Sequence, residues 1–143
     1  MTGKTTYDSS NIFAKNLRGE IPCHRIFEDE HALAFMDIIP QTDGHTLVIP
    51  KVEATSLLDM PADAWGPYML RVQKVARAVK KGMKAEGLLV QQFNGAVAGQ
   101  TVFHLHFHLL PRWNGVPLRR HEGGMEKPEV LAANAQKIIA ALQ

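Results

Sequence analysis

The stretch TVFHLHFHLL (residues 101–110) places His104, His106 and His108 at every second position and fills the intervals with Phe103, Leu105, Phe107 and Leu109. A β-strand turns successive side chains to opposite faces. The pattern predicts a strand with three imidazoles on one face, neighbours roughly 7 Å apart, and an apolar row turned to a core on the other. Just upstream, LLVQQFN (88–94) reads as a partner strand, and the Gly-containing GAVAGQ (95–100) joins the two into a hairpin.

Further from the histidines the punctuation stays regular. CHRIFED (23–29) and HALAFMDI (31–38) read as a second hairpin turning at Glu28, Asp29 and Glu30, and HTLVIP (45–50), entered through Asp43-Gly44 and closed by Pro50, as a fifth strand. SSNIFAKNLRGE (9–20) predicts a short helix with Ser9 or Ser10 as cap and Gly19 as stop. Within 61–85, Trp65, Met69, Val72, Ala76, Val79 and Met83 recur with helical spacing and predict one long amphipathic helix. KPEVLAANAQKIIAALQ predicts a terminal helix with Pro128 in its first turn. Five strands with short connections and few helices give an α+β fold, an antiparallel sheet carrying helices.

Composition narrows the partners. The chain has 143 residues, 45% apolar and 21% charged, enough for one domain with its own core. A net charge of +2 gives no argument for nucleic acid as a partner. No apolar run approaches the ~18 residues of a membrane span. Cys23 is the sole cysteine, which rules out an intrachain disulfide, and MTGKTTYDSS lacks the apolar core of a signal peptide. A cytoplasmic location is expected.

Three chemistries compete for the histidine row. A merely solvated face would be served as well by Thr, Lys or Glu. A zinc site could use two histidines at i and i+2 with His45 as a third ligand, yet the following LLPRW supplies no carboxylate. Covalent catalysis on phosphorus fits best. Neutral imidazole is a nucleophile near pH 7, its unperturbed pKa being about 6.5, and a fixed acceptor on one ring nitrogen leaves the other able to attack. NGAVAGQT (94–101) leads straight into the row. Gly95 and Gly99 let backbone N–H groups approach an anion, and Asn94, Gln100 and Thr101 add side-chain donors.

HLHFHLL resembles the His-x-His-x-His-x-x signature of the histidine triad (HIT) family. IFEDEHALAFMDIIPQTDGHTLVIPK is similar to the family's first half and NGAVAGQTVFHLHFHLLPR to its second, the Hint branch and its bacterial relatives fitting best. The resemblance implies a HIT domain over 11–113, behind a flexible tail (1–10) and ahead of a C-terminal extension (114–143) ending in a helix. It implies a five-stranded antiparallel sheet with one long and one short helix, extended by pairing in a homodimer. The implied activity is hydrolysis of purine nucleoside phosphoramidates at the α-phosphorus, without a cofactor. Dinucleoside polyphosphate hydrolysis, as in the Fhit branch, and a nucleotide-binding sensor or scaffold are the alternatives.

The resemblance also implies roles. His106 is the nucleophile, His104 orients it, His108 contacts the phosphate and the bridging atom, and His45 is the fourth histidine of the site. Asn94, Gly99, Gln100 and Thr101 match phosphate-binding positions, Asp37 the ribose-binding carboxylate, and Ile12, Phe13, Phe35, Met36, Ile38 and Leu47 the base pocket. The sequence departs from the pattern at Asn11, Ala14 and Glu53, where many bacterial relatives carry two cysteines and a histidine that bind zinc, so no metal is expected. Asn16 replaces an apolar pocket residue, which leaves the base preference open. Arg112, Arg119, Arg120 and His121 could guide an anionic substrate or be solvated surface, and the surface reading is favoured.

Overall fold

A computed structural model describes residues 6–120 and 124–142; His121 lies outside them. Five strands form one antiparallel sheet: β1 (Arg25–Glu28), β2 (Ala32–Met36), β3 (Thr46–Pro50), β4 (Gly87–Gln91) and β5 (Phe107–Arg112), in the order β1-β2-β3-β5-β4. Both predicted hairpins are present. The first turns because the Asp29 carboxylate accepts the amides of His31 (2.8 Å) and Ala32 (3.1 Å), a side chain holding its own turn.

Every residue of β2 and β3 is buried, because both faces of the sheet centre are covered. On one face Ala32, Ala34, Met36 and Val48 meet the helices α2 (Ala62–Gly82) and α3 (Pro128–Ala140). On the other Leu33, Phe35, Leu47 and Ile49 meet Phe13 of α1 (Ile12–Leu17). The alternation thus sorts one strand's residues into two cores.

The long helix buries Tyr68, Val72, Val75, Ala78 and Val79. Its inward face is therefore rotated from the predicted one: Met69 is 37% exposed, and Trp65, Ala76 and Met83 are peripheral. Tyr68 takes the central place because its hydroxyl reaches the Val48 carbonyl at 2.7 Å, so its ring is buried without an orphaned donor. Each buried valine contributes roughly 1.5–3 kcal/mol. Pro67 lies within the helix, where its missing N–H costs one bond. At the far end Gly82 permits a close crossing: a Cβ there would sit 2.5 Å from the Lys137 carbonyl oxygen and 2.9 Å from Ile138 Cα of α3.

Two predicted boundaries shift. The α1 cap is Asn11, not Ser9 or Ser10, its Oδ1 accepting the Ala14 amide at 2.9 Å; Gly19 at φ +75° then ends the helix as expected. β5 begins only at Phe107, so of the three histidines His108 alone lies in a paired strand. Ahead of it the Leu105 amide donates to Ala54 O at 2.8 Å, an anchor outside the sheet. Leu105 and Leu109 still face the helical core while the histidines face the other way, but Phe103 is substantially exposed.

The chain between β5 and α3 crosses the loop that follows β2. The Arg119 amide donates to Gln41 O and the Glu126 amide to Ile38 O. The Arg119 guanidinium bridges Asp43 (2.9 Å) and Glu126 (3.6 Å). Arg119 is thus a fastening of this strap and not loose surface.

Candidate active site

His104, His106 and His108 are buried and are joined by His45, which immediately precedes β3. The rings of His106 and His108 lie 4.9 Å apart, and those of His45 and His108 5.2 Å. Hydrogen bonds to main-chain groups assign their protons. A carbonyl oxygen only accepts, so His106 Nδ1, 2.6 Å from His104 O, carries the proton and Nε2 the lone pair. His104 Nε2 donates to Pro50 O at 2.9 Å, leaving Nδ1 as acceptor. Burial pushes the His104 pKa down to about 4, so the ring is neutral near pH 7.

His45 is set in the opposite sense. An amide only donates, and Gln41 N lies 3.1 Å from His45 Nδ1. The proton of neutral His45 is therefore on Nε2, 3.0 Å from His108 Nδ1. His108 then accepts at Nδ1 and carries its own proton on Nε2. One ring of the row thus offers a lone pair at Nε2 and its neighbour a donor at the same atom.

Asn94, Gly99, Gln100 and Thr101 come together in the turn before the row. Gly95 and Gly99 both adopt positive φ (+96° and +105°), which admits glycine and strains other residues. The Gln100 side chain is buried and engaged within the protein. Its Oε1 accepts the Gly95 amide at 2.8 Å, and its Nε2 donates to Thr55 O (2.7 Å) and Val102 O (3.0 Å). Both of its side-chain donor bonds therefore run to main-chain carbonyls of the protein. Asn94 Oδ1 accepts the Leu57 amide at 2.9 Å, and its side chain pairs with Gln92. Thr101 is exposed. Phe93 packs edge-on against His108 at 5.5 Å between centroids.

Asp37 is buried beside His45, its Oδ2 3.4 Å from Nε2 and its Oδ1 accepting the Ile39 amide at 2.9 Å. Phe13 stands edge-on to both Phe35 (5.4 Å) and His106 (4.9 Å), with Leu47 in the same cluster. Ile12 and Ile38 are 41% and 38% exposed and do not belong to that cluster. Met36 does not join this pocket. It follows Phe35 on β2, so it points into the helical core. Asn16 is likewise occupied, donating to Ile21 O at 2.9 Å.

Two clusters of side chains bear on metal binding. Asp37, His45 and His108 offer ligand atoms within 4.8 Å of one another. The Gln41 amide, however, holds the proton on His45 Nε2, the nitrogen a metal would need, so binding there would require an imidazolate. The second cluster is at the zinc position of relatives. Ala14 has no donor, and Asn11 spends its amide on Asp8 O (2.8 Å), the Ala14 amide and the Tyr7 hydroxyl (3.0 Å). The Tyr7 hydroxyl in turn meets His104 Nδ1 at 2.5 Å. Neither donor set fits a metal ion. Tyr7, assigned from the sequence to a loose polar tail, is the functional neighbour that sequence reasoning missed, along with Gln41 and Phe93. Nothing in the polar run MTGKTTYDSS signalled it except its being the tail's only aromatic residue.

A four-histidine cluster on one sheet face, beside a glycine turn and an aromatic pocket, defines a class, and residues 18–115 match the HIT domain. The chain belongs to the HIT family. It is 37% identical over 112 residues to an adenosine 5′-monophosphoramidase of Saccharomyces cerevisiae, covering 78% of this chain and 68% of that protein. A HIT-like protein from Bartonella henselae, described as involved in cell-cycle regulation, superimposes with a TM-score of 0.89 at 50% identity over 96% of this chain and all of that one. A Zn-bound histidine triad protein from Mycobacterium smegmatis gives 0.81 at 37% identity, with 93% of each chain covered. Among the described residues no helix is long and apolar enough to cross a membrane.

Proposed function

We propose that the protein hydrolyses purine nucleoside phosphoramidates at the α-phosphorus through a covalent nucleotidyl-histidine on His106, without a metal. The observation that carries this is the 2.6 Å bond from His106 Nδ1–H to His104 O, which leaves the Nε2 lone pair for attack. The base lies in the slot of Phe13, Phe35 and Leu47, rimmed by Ile12 and Ile38, and Asp37 receives the ribose hydroxyls. The phosphate rests on the Asn94–Thr101 turn. Its backbone donors do the holding, helped by Thr101, while Gln100 acts through the turn's shape. His106 Nε2 forms the bond to phosphorus as the P–N bond breaks, the amine leaves with a proton from solvent, and His108 Nε2–H donates to the phosphoryl oxygens. Water then cleaves the phosphorus–histidine bond and releases the nucleoside monophosphate. The similarity to the yeast phosphoramidase supports the substrate class.

The working unit is a homodimer that continues the sheet. In the protomer β4 is an edge strand with Val90 47% exposed, which suits that role.

The test is steady-state hydrolysis of adenosine 5′-phosphoramidate by EDTA-treated protein, with His106→Ala alongside. Turnover is expected to survive EDTA and to vanish in the variant, and an alkaline quench should trap nucleotide on the wild-type chain. Undiminished turnover in His106→Ala, or activity lost to EDTA and restored by zinc, would overturn the proposal. Faster cleavage of diadenosine polyphosphates than of the phosphoramidate would transfer the assignment to that substrate class.

A further inference from the structure

We infer that Tyr7 is a positioning residue that acts on His106 through His104. The inference rests on the nucleophilic role of His106 argued above. Asn11 Nδ2 donates to the Tyr7 hydroxyl at 3.0 Å and so occupies one of its acceptor sites. The hydroxyl's single proton is directed to His104 Nδ1, 2.5 Å away, with the two rings edge-on at 5.6 Å. His104 cannot supply that proton itself, because its own is committed to Pro50 O through Nε2. The ring is fully buried, so without Tyr7 its Nδ1 would be an unpaired acceptor.

The link continues along the chain. The carbonyl of His104 is the acceptor that holds His106 Nδ1–H. Tyr7 and Pro50 clamp the ring of His104 from two sides, and the residue so clamped fixes the acceptor that aims His106. Asn11 reaches the nucleophile by a second route as well: it caps α1, and α1 carries Phe13 onto the ring of His106. The segment ahead of the matched domain is thereby part of what holds the reacting nitrogen in place.

Tyr7→Phe removes one oxygen and keeps the ring. On adenosine 5′-phosphoramidate kcat is expected to fall about tenfold, the equivalent of one lost hydrogen bond, with KM within about twofold of wild type. In nitrogen NMR the His104 Nδ1 signal should move toward that of an unbonded ring nitrogen, and the His106 Nδ1–H proton signal should shift with it. Asn11→Asp keeps the α1 cap but turns the group beside Tyr7 into an acceptor that draws its proton from His104. It should lower kcat in the same direction with Tyr7 still present. Wild-type kcat in both variants, with both histidine signals unmoved and only the melting temperature lowered, would overturn the inference. Failure of wild type to turn over any nucleotide substrate would count against the hydrolase reading alone. The histidine signals would then still decide the Tyr7 link, and two unmoved signals in Tyr7→Phe would refute it.

Discussion

Replacing His45 with Ala tests whether proton placement, and not only the presence of histidines, makes the site competent. His45 is fully buried and stands between the Gln41 amide (3.1 Å) and His108 Nδ1 (3.0 Å). Its removal strips His108 of the donor that keeps the His108 proton on Nε2. The lost bond is worth about 1–3 kcal/mol in a buried setting, and at 1.4 kcal/mol per tenfold this shifts the ring tautomers by roughly 5- to 150-fold. We expect kcat for phosphoramidate hydrolysis to fall within that range. Stability should also drop by about 1–3 kcal/mol or more, because the Gln41 amide loses its acceptor and the ring leaves a cavity. His45→Gln separates the two effects. Its amide nitrogen extends to about where Nε2 lay and can donate to His108, but nothing replaces the acceptor for Gln41. Activity should recover toward wild type while the urea midpoint stays low. The assay is steady-state kinetics at pH 7 on protein shown to be folded by near-ultraviolet dichroism. Wild-type kcat in folded His45→Ala, or a Gln variant as impaired as Ala, would refute the reasoning.

Two further outcomes concern stability. Because burial lowers the His104 pKa from 6.5 in the unfolded chain to about 4, the unfolded state binds the extra proton between those values. Its contribution is present in full above pH 6.5 and lost as the pH falls to about 4, on the order of 3 kcal/mol; urea unfolding at pH 7, 5.5 and 4 should show the decline, which a flat profile would contradict. Gly82→Ala gains about 1 kcal/mol of helix propensity but forces a methyl to 2.5 Å from the Lys137 carbonyl oxygen. Overpacking against backbone costs about 1–3 kcal/mol, so the melting temperature should fall, with kcat unchanged because α3 lies across the sheet from the histidines; a melting temperature at or above that of wild type would show that α3 yields freely.

The fold was legible where local chemistry decides it. Asp29, Gly19 and Pro128 punctuate the chain where the sequence places them, and the five strands follow. The errors arise where a distant partner outweighs a local pattern. Tyr68 turns the inward face of α2 because a Val48 carbonyl waits for its hydroxyl, which no periodicity reveals. Met36 has the residue type of a pocket wall but the wrong parity on β2. The alternating histidines look like one strand, although Leu105 bonds to Ala54 and pairing starts only at Phe107. Proximity of the four histidines was readable from the family motif. Their protons were not, since Pro50 and Gln41 are placed against them only by the folded chain.

The groups that set the ring protons of His45, His104 and His106 are main-chain atoms: the Gln41 amide, the Pro50 carbonyl and the His104 carbonyl. Side-chain replacement does not delete a carbonyl, and only proline deletes an amide. The wiring is therefore carried by the path of the chain and not by the spelling of these three residues. Substitutions at positions 41 and 50 that preserve the backbone should be silent for proton placement, whereas a small displacement of either loop would disturb it with every histidine intact. A search for inactivating changes confined to the conspicuous residues would overlook that second kind.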